Sequence, residues 1–187
     1  MKPNLKKLTV SAIFIALSTV LSELIPSISL PFGGSIILLS MVPVCLIGIL
    51  FGVRWGVFAN LAYGVIQLFF GLGNVTYALG IAGIAGALAV LLFDYVIAYG
   101  VLGFTGVFLK TVKNKTLAVV LGVLLVCLLR YLCHFITGVT IWREIADIWG
   151  AIWYSVTYNA TYMIPEMITT PIAVALLLKT KAIDQLV

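Results

Sequence analysis

The chain holds 187 residues, of which 63% are hydrophobic and 9% charged, and its mean hydropathy is +1.24. Soluble domains keep about a quarter of their residues charged, so this composition cannot dress a solvated surface and the chain is an integral membrane protein. Six spanning helices of about 20 residues would use roughly 120 residues. That leaves loops only and excludes a soluble catalytic domain. The formal charge of +5 could suit nucleic acid, yet no basic run exceeds Lys6-Lys7. In a membrane protein such charges mark cytoplasmic loops.

Breaks between apolar runs predict an all-α membrane protein with six spans in a single transmembrane domain over residues 1–187. The first span, Leu8–Leu24, follows Lys2, Lys6 and Lys7 and reads as an uncleaved signal anchor, since five apolar spans follow and no small-x-small cleavage site is evident. Pro26, Pro31 and Gly33-Gly34 mark the first loop, before a second span over Ile36–Phe51 and a third over Trp55–Phe70. After Gly71-Leu72-Gly73-Asn74 comes a fourth span over Tyr77–Tyr99, whose end is blurred by Gly100, Gly103 and Gly106. Lys110–Thr116 is the next loop, followed by a fifth span over Leu117–Gly138 and a sixth over Tyr154–Leu178. Between the last two, Trp142–Trp153 reads as a polar, aromatic loop or a short interfacial helix.

With six spans, nine of the eleven basic residues fall on one side: Lys2, Lys6, Lys7, Arg54, Lys110, Lys113, Lys115, Lys179 and Lys181. Arg143 alone lies in the opposite loops. The positive-inside rule then places both termini in the cytoplasm. Small residues recur every four positions at Gly48, Gly52 and Gly56, at Ala78, Ala82 and Gly86, and at Ala12 and Ala16. Such stripes let helices approach closely, either within the bundle or against a partner subunit.

Ionisable groups at membrane depth are costly and mark function by default. Asp94 lies in span four beside Tyr95, Arg130 and His134 share a face of span five, and Glu166 follows Pro165 in span six. A structural ion pair would join Arg130 to Asp94 or to Glu166 and leave one carboxylate free. Toward the outer side sit Tyr95, Trp142, Trp149, Trp153, Tyr154 and Tyr158, with Asn159 next. An interfacial belt accounts for some of these rings, but a belt needs no acid, histidine and amide at its level. Aromatic faces beside a carboxylate suit a flat cationic heterocycle, with stacking and cation–π attraction of about 0.5–2 kcal/mol per contact. Hydrogen bonds from the carboxylate and the amide would fix its orientation.

Other chemistries lack their motifs. No G-x-x-x-x-G-K-[ST], H-E-x-x-H or G-x-S-x-G occurs. One histidine with Cys45, Cys127 and Cys133 scattered in apolar runs does not make a zinc site. Neither a cofactor nor enzymatic activity is expected. Binding and translocation lead; a stand-alone proton-coupled carrier with Asp94, His134 and Glu166 as its relay is the competing class.

Several strings carry a resemblance. Gly33-Gly34-Ser35-Ile36 with Met41-Val42-Pro43, and Asp94-Tyr95 with Ala98 and Gly103, are two of them. More specific are Arg130-Tyr131-x-x-His134-Phe135-x-x-Gly138 and Tyr154-x-x-x-Tyr158-Asn159-x-x-Tyr162-Met163-Ile164-Pro165-Glu166. Together they resemble the thiamine-specific substrate-binding (S) components of bacterial energy-coupling factor (ECF) transporters, over essentially the whole chain. The resemblance implies a six-helix subunit of the cell membrane that captures thiamine from outside with high affinity. A long-helix membrane coupling subunit and two cytoplasmic ATPases would drive uptake, with docking through the small-xxx-small motif that Ala12 and Ala16 match. It further implies a thiamine pocket lined by Asp94, Tyr95, His134, Trp142, Tyr154 and Asn159. In that pocket Asp94, His134 and Asn159 would bond the aminopyrimidine while Tyr95, Trp142 and Tyr154 sandwich the thiazolium. Asp94 stands where the family often has the longer Glu, and Phe32 is the one aromatic the first loop offers as a lid. Riboflavin and hydroxymethylpyrimidine are the alternative cargoes for an S component of this kind.

Overall fold

The computed structural model describes residues 3–25, 28–29, 35–142, 144, 147–180 and 183. Helix α1, Pro3–Glu23, is followed by a minimal antiparallel pair, β1 (Ile28–Ser29) and β2 (Ser35–Ile36), in which Ile28 faces Ile36. Next come α2 (Val42–Phe51), α3 (Val53–Phe70), a helical run α4 over Leu72–Lys110, α5 (Lys115–Trp142) and α6 (Ile148–Leu177). Among the described residues, five helical stretches are long and apolar enough to cross a membrane, within α1, α3, α4, α5 and α6. The second expected span, Ile36–Phe51, is shorter than its apolar run. Only Val42–Phe51 is helical, about 15 Å at 1.5 Å per residue. That is half a hydrocarbon core, and Val42–Gly48 is buried without interruption.

Contacts fix the helix directions. Asn60 Nδ2 donates to the carbonyls of Gly56 and Val44 at 2.9 and 3.3 Å, so α2 and α3 run antiparallel about Gly52. Gly52 has φ +86, a left-handed conformation that glycine adopts without strain. Trp55 Nε1 donates to Ser11 Oγ at 2.9 Å and Gln67 Nε2 to Ser22 Oγ at 2.8 Å, which aligns α1 parallel to α3. The glycine stripe packs within the bundle: a methyl group on Gly48 or Gly56 would come within 2.8 Å of the Gly103 carbonyl oxygen. Thr105 Oγ1 donates to the Cys45 carbonyl at 2.7 Å across the same seam. Ala12 and Ala16 instead stay exposed on α1.

The fourth span departs from its expectation. A straight helix would hold Asn74 about 32 Å from Tyr95, yet Asn74 Nδ2 lies 3.1 Å from Tyr95 Oη. The run therefore doubles back. The reversal sits at Ala82 (φ −117, ψ 15) and Gly83 (φ +61, ψ −156). Beyond it Gly86 packs so closely that an added methyl would lie 2.5 Å from the Ala82 Cβ and 2.9 Å from the Ala78 carbonyl oxygen. The predicted span Tyr77–Tyr99 thus straddles a helical hairpin: a short arm from Leu72 to Ala82, and a long arm onward to Lys110 that can cross the membrane. Hydrophobicity runs unbroken through the turn, which is why the sequence conceals it. In the long arm the hydrogen-bond ladder widens to π geometry over Val90–Ile97 and tightens to 3-10 geometry over Val101–Lys110. Asp94 and Tyr95 lie in the widened turn, and such π segments recur at functional sites.

Candidate functional site

The two long helices α5 and α6 face each other antiparallel, joined by a short connection. On α5, Arg130, His134, Gly138 and Ile141 recur along one face; on α6, Ser155, Asn159, Tyr162 and Glu166 do the same. Between these stripes and the hairpin of α4 lies a cavity of about 440 Å³. Gly138 allows the close approach of its two long walls, since a methyl there would lie 2.3 Å from Ser155 Oγ. Asp94, Tyr95 and Tyr99 form the α4 wall.

His134 joins the two walls. Its Nδ1 lies 2.8 Å from Asp94 Oδ1, and the carboxylate as acceptor places the ring proton on Nδ1. In the neutral ring Nε2 is then an acceptor, and it is buried with no hydrogen-bond partner among the described residues. A buried polar atom without a partner is costly, so an occupant of the cavity with a donor group would satisfy it. Asn159 is held just as firmly. Its Nδ2 donates to the Ser155 carbonyl at 2.8 Å and to Ser155 Oγ at 3.1 Å, and its Oδ1 accepts from Tyr162 Oη. Both amide hydrogens are thereby engaged, and a lone pair on Oδ1 remains. The site thus presents two acceptors, one from α5 and one from α6.

Arg130 does not form the expected ion pair. Its Nη2 donates to Tyr99 Oη at 3.2 Å, and its guanidinium carbon lies 4.4 Å from the Tyr99 ring centroid. Among the described residues no carboxylate oxygen comes within 4.0 Å of it; Asp94 pairs with His134 instead. Glu166 is 6% exposed and accepts from Thr170 Oγ1 at 2.9 Å. The cavity lining thus holds two carboxyl groups, Asp94 and Glu166, and one guanidinium, Arg130.

Of the six expected pocket residues, Asp94, Tyr95, His134 and Asn159 line the cavity. Tyr154 does not: its ring stacks on Tyr158 at 5.6 Å, and Tyr158 is the residue that reaches the wall. One helical turn separates the two, and the register of α6 decides between them. Trp142 ends α5, and its side chain, like Phe32, lies outside the described residues. Trp149 and Trp153 are exposed, as an interfacial belt requires. Sequence reasoning missed Asn74, Tyr99 and Tyr162 as wall residues. The recurrence along span six could have supplied Tyr162; nothing short of the hairpin supplies Asn74.

The family model described as thiamine transporter protein matches residues 8–185. The chain belongs to this family. ThiT of Bacillus subtilis (strain 168), a thiamine transporter, is 32% identical over 128 residues, which cover 64% of this chain and 61% of that relative. The chain thus spans about three-fifths of the length of the curated relative it matches. Similarity to a solved structure of ThiT from Listeria monocytogenes runs further, with a TM-score of 0.71 at 26% identity over 98% of this chain and 97% of the other. As a member of the thiamine transporter family with several long apolar helices, the chain is a multi-pass membrane protein.

Proposed function

We propose that this chain is the thiamine-binding S component of an ECF-type transporter in the bacterial cell membrane, capturing the vitamin from outside without catalysis of its own. The observation that carries the reading is His134: Asp94 holds it so that Nε2 meets an aromatic-walled cavity with no partner among the described residues. The exocyclic amine of the aminopyrimidine has two hydrogens, matching the two acceptors His134 Nε2 and Asn159 Oδ1. The Asp94 carboxylate, already bonded to His134, acts as a charge partner and orienting group more than as a direct ligand of the pyrimidine. The thiazolium cation has the Asp94 carboxylate as its charge partner, and the rings of Tyr95 and Tyr158, with Trp142, supply its stacking surface.

Titrating the detergent-solubilised protein while following tryptophan fluorescence tests this directly. Saturable quenching by thiamine is expected, and hydroxymethylpyrimidine, which lacks the cation, should bind about 30-fold more weakly. Quenching by riboflavin but not thiamine would assign another cargo.

Uptake would require a membrane coupling subunit and two ATPases. Both termini would then face the cytoplasm, with the short α2 counted as one of the six spans. Ala12 and Ala16, exposed on α1, are the proposed docking face. Vesicles containing this chain alone should accumulate no thiamine under a proton gradient; accumulation there would favour the carrier reading. Ala12→Trp should leave thiamine affinity unchanged and abolish uptake by the full complex.

A further inference from the structure

The Tyr95 ring is held from behind by the short arm of the α4 hairpin. Its hydroxyl donates to the Gly71 carbonyl at 3.2 Å and accepts from Asn74 Nδ2 at 3.1 Å. Gly71 makes room for this: a methyl group there would fall 1.7 Å from Tyr95 Oη and 2.4 Å from Cζ. On its other side Tyr95 lies nearly parallel to Tyr99, with centroids 6.4 Å apart and planes 17° off parallel. Arg130 sits over the Tyr99 ring in turn. One cavity wall is therefore a stack of two phenol rings and a guanidinium, and among the described residues its attachments through the Tyr95 hydroxyl are to Asn74 on the arm and to Gly71 just before it.

We propose that Gly71 and Asn74 are positioning residues for ligand binding: together they occupy the Tyr95 hydroxyl and set the plane of its ring. Tyr95 then offers a bound heterocycle its face, its hydroxyl proton already given to Gly71. The inference deepens the thiamine reading and rests on it. Asn74 itself borders the cavity, so a direct contact between Asn74 and the ligand is the rival explanation.

A double-mutant cycle separates the two, because a residue acting only through the Tyr95 hydroxyl has no effect once that hydroxyl is gone. Thiamine titrations of wild type, Asn74→Ala, Tyr95→Phe and the double variant should show each single change weakening binding about 3- to 10-fold. The double variant should bind no more weakly than the worse single. Gly71→Ala should cost about 30-fold, whereas Gly73→Ala, where nothing lies within 4 Å, should bind as wild type. Additive losses in the double variant, or wild-type affinity in Gly71→Ala, would overturn the inference while leaving the thiamine reading intact. If wild type does not bind thiamine, the proposed function fails first. The same cycle measured by thermal unfolding then decides whether the attachment exists: non-additive shifts in Tm uphold it and additive shifts refute it.

Discussion

The two sides of the cavity are built on different principles. The α5–α6 side consists of regular helices whose polar residues recur at helical spacing, so Arg130, His134, Asn159 and Glu166 reach the same space by periodicity alone. The α4 side is irregular. A hairpin at Ala82–Gly83 and a π-widened turn over Val90–Ile97 carry Asn74, Asp94 and Tyr95 to the site. A regular pair of helices can supply stripes of groups, but it leaves their partners to be brought from elsewhere. Here the irregular element supplies them: Asp94 gives His134 its orientation, and the arm gives Tyr95 its plane.

If His134 joins the two sides, its loss should be the largest single effect. His134→Ala removes the unpartnered acceptor and strands Asp94, which predicts a loss of about 3 kcal/mol in thiamine binding, roughly 100-fold, measured by calorimetric titration. A loss under threefold would place the ligand away from this residue. Asp94→Asn tests the irregular side with the regular one intact. Affinity for thiamine should fall by about 2 kcal/mol, and for hydroxymethylpyrimidine by clearly less, since only the former carries the charge that Asp94 balances.

Register within the regular side is tested by neighbours. Tyr158→Ala should weaken thiamine binding by about 1.5 kcal/mol and Tyr154→Ala by under about 0.5 kcal/mol. The reverse order would put Tyr154 in the wall. Smallest of all is the hairpin itself, probed without ligand. Gly83→Ala meets no atom within 4 Å but must hold φ +61, so it should lower stability by about 1 kcal/mol. Gly80→Ala, equally open but helical, should raise it slightly. Thermal unfolding of the two variants compares them; equal shifts would deny the turn its left-handed glycine.

The two sides were not equally legible. His134 and Asn159 could be found because an α-helix repeats every 3.6 residues, and a costly polar group inside an apolar run stands out against it. Asp94 was visible for the same reason, but its partner was not: neither carboxylate could be assigned to Arg130 without knowing which helix faces come together. Arg130 rests on Tyr99 instead, a contact that leaves no trace in spacing. Tyr154 and Tyr158 are both aromatic and one turn apart, so only the rotation of α6 about its axis selects the wall residue.

The sequence by itself determined the solvent this protein folds in, the approximate course of most of its helices and the polar residues that membrane depth makes expensive. Those follow from local physics: transfer free energy, helical periodicity, and loop charge. Only the tertiary structure decided that one apolar run turns back on itself, that Asp94 serves His134, and that Gly71 and Asn74 hold Tyr95. A reversal at Ala82–Gly83 inside a continuous apolar run leaves no break in hydropathy. It is set by which surfaces fit, as Gly86 fits against Ala78 and Ala82.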